Sequence, residues 1–139
     1  MVSLSQLQRI AEAFGQLANR PHKTWLRNAD AATALAYVEE TLRGATPSSY
    51  AIVDGVFVMY SIGRPWWATR DVLAEELLLR IEPGAGVTAA LSFLERTAEL
   101  LNCAGVVLGT SISTNDAALV RLYRQHGYVE SANVLYKEV

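Results

Sequence analysis

Two neighbouring carboxylates are the side chains of this sequence best placed to act as a proton acceptor. Glu75 and Glu76 stand directly before the apolar run Leu77-Leu78-Leu79, and a carboxylate at the edge of an apolar strand can have a raised pKa and accept a proton near neutral pH. Because side chains alternate along a strand, the two point to opposite faces, so without a bulge at most one faces a cleft. The alternative is that both mark a solvated strand start.

Tyr123 is the matching candidate for a proton donor. It lies one turn before Gly127, which ends a predicted helix. A neutral phenol with a pKa of ~10 can donate a proton to a leaving group, whereas a carboxylate that is ionised at neutral pH cannot readily do so. The alternative is a core aromatic, because Leu119, Leu122 and His126 share its helical stripe.

A glycine turn that leads directly into a helix predicts an anion site. The turn is Glu82-Pro83-Gly84-Ala85-Gly86, and the apolar residues that follow it recur at helical spacing: Val87, Ala90, Leu91, Leu94, Ala98 and Leu101. Free N–H groups and the positive end of the helix dipole then meet at one point, where a phosphate can bind. The alternative is a tight turn without a ligand.

Two adjacent tryptophans stand in a break between predicted strands. Trp66 and Trp67 follow Pro65, and such large aromatics either border a substrate or partner site or fill the core. The core is the interpretation that we favour for this pair.

Composition indicates one ordinary globular domain that spans residues 1–139. The net charge is −2 and 51% of the residues are hydrophobic, which disfavours a basic nucleic-acid surface. The single Cys103 excludes an intramolecular disulfide, and His22 has no second ligand at metal spacing, so we expect no metal site. The sequence has neither signal-peptide blocks nor a membrane span, so we expect a cytoplasmic protein.

The order of the predicted elements is helix, helix, three strands, helix, strand, helix and a final strand or hairpin. Ser3 with Gln6 and then Asp30 mark the two helix starts, and Asp54-Gly55 predicts a two-residue hairpin. Residues 128–136 alternate as a last strand. This order predicts an α/β fold with a mixed, mostly antiparallel sheet flanked by helices.

These elements carry motifs that resemble the GCN5-related N-acetyltransferases. The phosphate loop of that family has the pattern Q/R-x-x-G-x-G/A at a helix start, and the window here is Pro83 to Thr88. The family also commonly has an Asn, an Ala and then Leu-Tyr-x-x-x-Gly-Phe, which are matched by Asn115, Ala118 and the run Leu122 to Tyr128. Pro83 and Thr88 depart from the loop pattern, and the approach to the first glycine is short.

The resemblance implies transfer of an acetyl group from acetyl-CoA to an amine on a small molecule or a protein. It implies Tyr123 as the acid for the thiolate and Glu75 as the base, with Trp66, Trp67 and Glu76 at the substrate. Asn115 is otherwise simply a helix cap. The implied cofactor-binding residues are Leu79, Ile81, Gly84, Ala85, Gly86, Val87, Thr88, Ala89, Asn115 and Tyr123.

The resemblance also bears on the partners of the protein and leaves an alternative function. No nucleic acid and no membrane is expected, and a homodimer is left open. The family usually begins with a strand, for which there is no room before Leu4, so the chain resembles a compact, N-terminally trimmed member of a kind that viral genomes encode. The alternative function is a binding or structural module that keeps the fold without turnover, as the altered loop suggests.

Overall fold

A computed structural model describes residues 2–19, 29–110 and 116–139 of the chain. Helix α1 spans Leu4–Asn19 and helix α2 spans Ala31–Leu42. The predicted capping box is present, because Gln6 N–H donates to Ser3 Oγ at 3.1 Å and Ser3 N–H donates to the Gln6 side chain at 3.0 Å. Asp30 caps α2 by accepting from Thr33 N–H at 3.0 Å. Both helix starts therefore lie where the sequence predicts them.

Four strands form one sheet in the order β1-β2-β3-β4 among the described residues. They are β1 Ser49–Val53, β2 Val56–Gly63, β3 Val72–Arg80 and β4 Val106–Val107. The first two pairings are antiparallel and the third is parallel. Asp54 and Gly55 take the positive φ angles of 50° and 76° that a two-residue hairpin requires. The predicted mixed, mostly antiparallel sheet is confirmed.

Helices cover both faces of the sheet. Helix α3 spans Thr88–Leu100 and helix α4 spans Asp116–Gln125. One core cluster packs α3 and α4 against the sheet, and its fully buried members include Val56, Val58, Leu73 and Leu94. A second cluster packs α1 and α2 against the opposite face through Ile10, Val38, Phe57, Met59, Leu77, Leu79 and Ile81. Burying each of these large side chains stabilises the fold by roughly 1.5–3 kcal/mol.

A β-bulge in β3 interrupts the alternation of its side chains. Met59 pairs with Leu77 and the next residue, Tyr60, pairs with Glu75, so Glu76 is the extra residue. As a result Leu73 faces α3 whereas Leu77 and Leu79 face α1 and α2, although all three share the same parity in the sequence. The bulge is the local feature that sets the directions of the Glu75 and Glu76 side chains.

Three predictions about element ends and burial are wrong. Residues 128–139 form no strand, and Val129, Val134 and Leu135 are largely exposed. Trp66 and Trp67 are 96% and 72% exposed, so they do not fill the core. The apolar run expected to form a strand from residue 104 to 108 pairs only over Val106–Val107.

None of the described helices combines the length and apolar character needed to cross a bilayer.

Candidate functional site

Gly109 joins the two predicted acid–base residues. The Tyr123 hydroxyl donates to the carbonyl oxygen of Gly109 at 3.1 Å. The backbone N–H of the same glycine donates to the carboxylate of Glu75. Glu75 lies on β3 and Tyr123 on α4, and Gly109 lies two residues after the end of β4. The fold therefore brings the candidate base and the candidate acid to one place.

Burial gives Glu75 the basicity that a proton acceptor needs. Removal from water raises the pKa of its carboxyl from the ordinary 4.5 to about 7, and the negative charge of Glu76 adds to the rise. The hydrogen bond from Gly109 N–H favours the ionised form and acts in the opposite direction. A carboxyl with a pKa close to 7 exchanges protons readily at neutral pH.

Burial also raises the pKa of Tyr123, which therefore keeps its proton at neutral pH. Its side chain is only 6% exposed. Desolvation raises the pKa of the phenol above its usual value, and the charge of Glu75 and the neighbouring Tyr128 raise it further. At neutral pH Tyr123 is thus a neutral hydrogen-bond donor beside a carboxyl that titrates.

A buried hydroxyl without a protein partner lies next to this pair. The Tyr128 hydroxyl is the one buried side-chain polar atom of the described residues that has no hydrogen-bond partner. The rings of Tyr123 and Tyr128 are 6.1 Å apart, and burial raises the pKa of Tyr128 to about 12. An unsatisfied buried donor costs free energy, so this position suits an acceptor atom of a ligand or a water.

The sheet opens beside Glu75. Strands β3 and β4 pair only at Leu73–Val106 and Ala74–Val107. From Glu75 to Arg80, β3 pairs with β2 on one edge and with no described strand on the other. The edge of β3 from Glu75 to Arg80, which we call the wedge, thus has no partner strand among the described residues. The backbone groups along such an edge can pair with an extended ligand.

The glycine turn lies at the open end of that wedge and fits a phosphate. Gly84 takes a φ of 75°, and no side chain caps the start of α3 at Val87. The first-turn N–H groups of a helix have no partner within it. A Cβ added to Gly86 would meet no atom within 4 Å, so space for an anion lies directly against the backbone. These features suit the pyrophosphate of coenzyme A.

Other parts of the fold hold this turn in place. Ile81 N–H donates to the Gly55 carbonyl at 2.9 Å, and a Cβ added to Gly55 would lie 3.1 Å from both Glu82 and Ala85. Only glycine therefore allows the hairpin to pack this closely on the turn. Arg9 of α1 forms an ion pair with Glu82 at 3.0 Å.

The remaining predicted cofactor residues divide into two groups. Thr88 is exposed at the first position of α3, while Ala85 and Ala89 are partly buried next to it. Leu79 and Ile81 are buried beneath α1 and α2, so only their backbone groups remain for a cofactor. Val87 is buried in the other core, and Asn115 lies outside the described residues.

The three predicted substrate residues do not lie together. Trp66 and Trp67 sit in the connection before β3, at the end of the sheet opposite the glycine turn. Arg70 fixes that connection to the C-terminal end of α3 by donating to the carbonyls of Asn102 and Cys103. Glu76 points towards α2, where it accepts from Ser48 Oγ at 2.8 Å.

Sequence reasoning missed four residues of this region: Gly109, Tyr128, Ser48 and Tyr37. Gly109 and Ser48 act through hydrogen bonds to residues distant in the chain, for which the sequence holds no local signal. Tyr128 carried a signal, because it occupies the position at which the family pattern has Phe and adds a hydroxyl there.

Comparison with solved structures identifies the fold. An aminoglycoside N-acetyltransferase in complex with CoA matches with a TM-score of 0.65 and 16% identity, covering 99% of this chain and 91% of that one. Glucosamine-6-phosphate N-acetyltransferase from Arabidopsis thaliana matches at 0.64 and 12%, covering 99% and 94%. An acetyltransferase from Trypanosoma brucei matches at 0.63 and 16%, covering 99% and 96%.

No family model and no curated protein matches the sequence. The solved structures nevertheless agree along the whole chain, and the fold is that of the GCN5-related N-acetyltransferases.

Proposed function

We propose that this protein transfers an acetyl group from acetyl-CoA to an amine. The observation that carries the proposal is the junction of Glu75, Gly109 and Tyr123 where β3 and β4 part. It combines a proton acceptor that titrates near neutral pH with a protonated phenol, and the glycine turn lies along the same wedge. The similar fold of the solved acetyltransferases supports the same reaction class.

The start of α3 would hold the cofactor. Ala85 N–H donates to the Glu82 carbonyl at 3.2 Å, and the other N–H groups between Gly84 and Ala89, together with the exposed hydroxyl of Thr88, are suited to the pyrophosphate. The helix dipole favours negative charge at this point. When bound, acetyl-CoA supplies an activated carbonyl and a thiolate leaving group. The Tyr128 hydroxyl is a further buried donor, on a ring that packs beside Tyr123.

Glu75 is the proposed base for the incoming amine. An amine attacks only as the free base, and most alkyl amines are protonated at neutral pH. With a pKa of about 7, the Glu75 carboxylate is ionised in a large fraction of molecules and takes up the proton at its carboxylate oxygen. Glu75 thereby raises the share of reactive amine at the site.

Tyr123 is the proposed donor to the departing sulfur. Its hydroxyl keeps its proton at neutral pH and now donates to the Gly109 carbonyl. A rotation of the hydroxyl redirects that proton towards a ligand while the ring stays packed beside Tyr128. A hydrogen bond to developing negative charge in a buried site lowers the barrier to thioester cleavage.

A second candidate function is a CoA-binding module without turnover. Pro83 stands where the phosphate-loop pattern has Gln or Arg, and proline has no N–H to donate. The turn therefore offers fewer donors than the pattern supplies, which favours weak or non-productive binding.

Calorimetry with acetyl-CoA and with free CoA tests whether the protein binds the cofactor. Release of free thiol in the presence of primary amines tests whether it transfers the acetyl group. We expect binding of both ligands and amine-dependent thiol release. Binding without release for any amine would favour the module, and no binding of either ligand would refute both functions.

A further inference from the structure

The bulge in β3 gives the two adjacent carboxylates different surroundings. Because Glu76 is the extra residue, Glu75 faces the side of the sheet that carries α4, and Glu76 faces α2. The two residues are consecutive in the chain, and the charge of Glu76 acts on Glu75 although the side chains face opposite sides of the sheet. The acid–base pair of the proposed site does not use Glu76 directly.

Glu76 is held by a chain of hydroxyl groups. Ser48 Oγ donates to Glu76 Oε1 at 2.8 Å, and the Tyr37 hydroxyl lies 2.7 Å from Ser48 Oγ. A serine hydroxyl has one proton, and Ser48 gives it to Glu76, so Tyr37 must be the donor in the second bond. Ser48 is 7% exposed and Tyr37 is 38% exposed, so the chain runs from the surface of α2 to the bulge.

Two further contacts fix Ser48 in this orientation. Its N–H donates to Thr46 Oγ1 at 3.3 Å, and Thr41 Oγ1, on a side chain that is 2% exposed, lies 2.8 Å from Thr46 Oγ1. A buried and satisfied polar network holds its members in one geometry. The carboxylate of Glu76 is therefore tethered rather than free to turn into solvent.

We propose that Ser48 and Tyr37 hold the carboxylate of Glu76 at the bulge as a fixed negative charge, and that this charge adds to the effect of burial by further raising the proton affinity of Glu75. Glu76 is then a positioning residue for proton transfer. The link to catalysis rests on the proposed function, in which Glu75 is the base. The electrostatic relation between the two carboxylates holds with or without turnover.

The other groups that face Glu75 do not provide a competing charge at neutral pH. Tyr60 is its partner on β2, and Tyr123 of α4 is close enough for the charge of Glu75 to act on its phenol. The end of β4 contributes the N–H of Gly109, which is a fixed dipole. Among these neighbours Glu76 is the one with a full negative charge, and it disfavours ionisation of Glu75.

The test is a titration of glutamate carboxyl carbons by NMR in the free protein, which needs no cofactor. Spectra of 13C-labelled protein between about pH 4 and 9 follow Glu75, and Glu75→Gln assigns its signal. Glu76→Gln removes the charge but keeps an acceptor for Ser48. Ser48→Ala removes the tether, and Glu40→Gln removes a charge from the exposed side of α2 as the matched control.

We expect the titration midpoint of Glu75 to fall by about half a pH unit or more in Glu76→Gln, since a like charge has been removed. Ser48→Ala should shift it in the same direction by less, and Glu40→Gln should leave it unchanged. The fall of the acetyl-transfer rate at low pH should shift by the same amount as the Glu75 midpoint. An unmoved Glu75 midpoint in both folded variants, Glu76→Gln and Ser48→Ala, overturns the proposal.

The outcome separates this inference from the proposed function. A lowered Glu75 midpoint in a protein that acetylates no amine would support the charge relation and count against the acetyltransferase. Amine-dependent turnover together with an unchanged Glu75 midpoint in the variants would support the acetyltransferase and count against the charge relation.

Discussion

The hydroxyl of Tyr123 and the carbonyl of Gly109 are joined by a hydrogen bond of 3.1 Å that connects α4 to the segment after β4. The same glycine donates its N–H to Glu75 on β3. One peptide segment thus links three elements at the point where the sheet opens. The acid–base roles proposed for Glu75 and Tyr123 depend on this junction.

Removing the hydroxyl of Tyr123 should abolish most of the acetyl transfer. Tyr123→Phe keeps the packing against Tyr128 but loses the donor, so we expect the rate to fall by about 10²–10⁴, the usual scale for general acid–base catalysis, with CoA affinity nearly intact. Thiol release and calorimetry measure the two quantities. Tyr50→Phe, which removes a hydroxyl on β1, is the control. Equal rates in wild type and Tyr123→Phe would remove Tyr123 from the mechanism.

The rate should depend on the ionisation of Glu75. With a pKa of about 7, kcat/KM should fall below neutral pH, by about tenfold per pH unit once Glu75 is protonated. The Glu75→Gln variant should lose most of the activity, and its remaining activity should no longer fall in this way at low pH. A rate profile of wild type that stays flat down to pH 5 would exclude Glu75 as the base.

Glu75 should also make stability depend on pH. Its folded pKa of about 7 lies above the unfolded value of 4.5, so the folded state binds more protons between these values and stability falls as pH rises through that window. At pH 8 Glu75→Gln should be more stable than wild type by roughly 2–3 kcal/mol, and near pH 4 the two should be similar. Urea unfolding at both pH values measures the difference. A constant difference across pH would contradict the assignment.

A side chain at Gly86 should block the cofactor without unfolding the protein. Space around this residue is open, so Gly86→Val meets no protein atom but fills the approach to the first-turn amides of α3. We expect at least about a tenfold loss of CoA affinity by calorimetry and an unchanged melting temperature. Gly63→Val, at an equally open position at the end of β2, is the control. Unchanged affinity would mean that this segment is only a turn.

Trp66 and Trp67 should respond to an acceptor or partner but not to CoA. They lie before β3, about 25 Å along the sheet from the glycine turn at the usual rise per residue. Fluorescence in a Trp25→Phe background isolates the pair. We expect emission typical of exposed indoles, unchanged by CoA and altered by a bound acceptor. Quenching by CoA alone would contradict this placement.

The sequence by itself determined the starts of the first two helices and the β1–β2 hairpin, because the signals for them are local. A capping box at Ser3, a cap at Asp30 and the Asp54-Gly55 turn each act within a few residues, and the structure has all three. The glycine turn before α3 was likewise visible in residue types alone. The conformations involved cost little to form locally and need no distant partner.

Only the tertiary structure decided where the candidate functional side chains point and how deeply they are buried. Strand alternation predicts opposite faces for Glu75 and Glu76, but only the register of β2 against β3 places the bulge at Glu76 and sends it to Ser48. The exposure of Trp66 depends on packing at a sheet end, where hydrophobicity alone predicts burial. The raised pKa of Glu75 comes from desolvation by elements distant in the chain, and no local pattern encodes it.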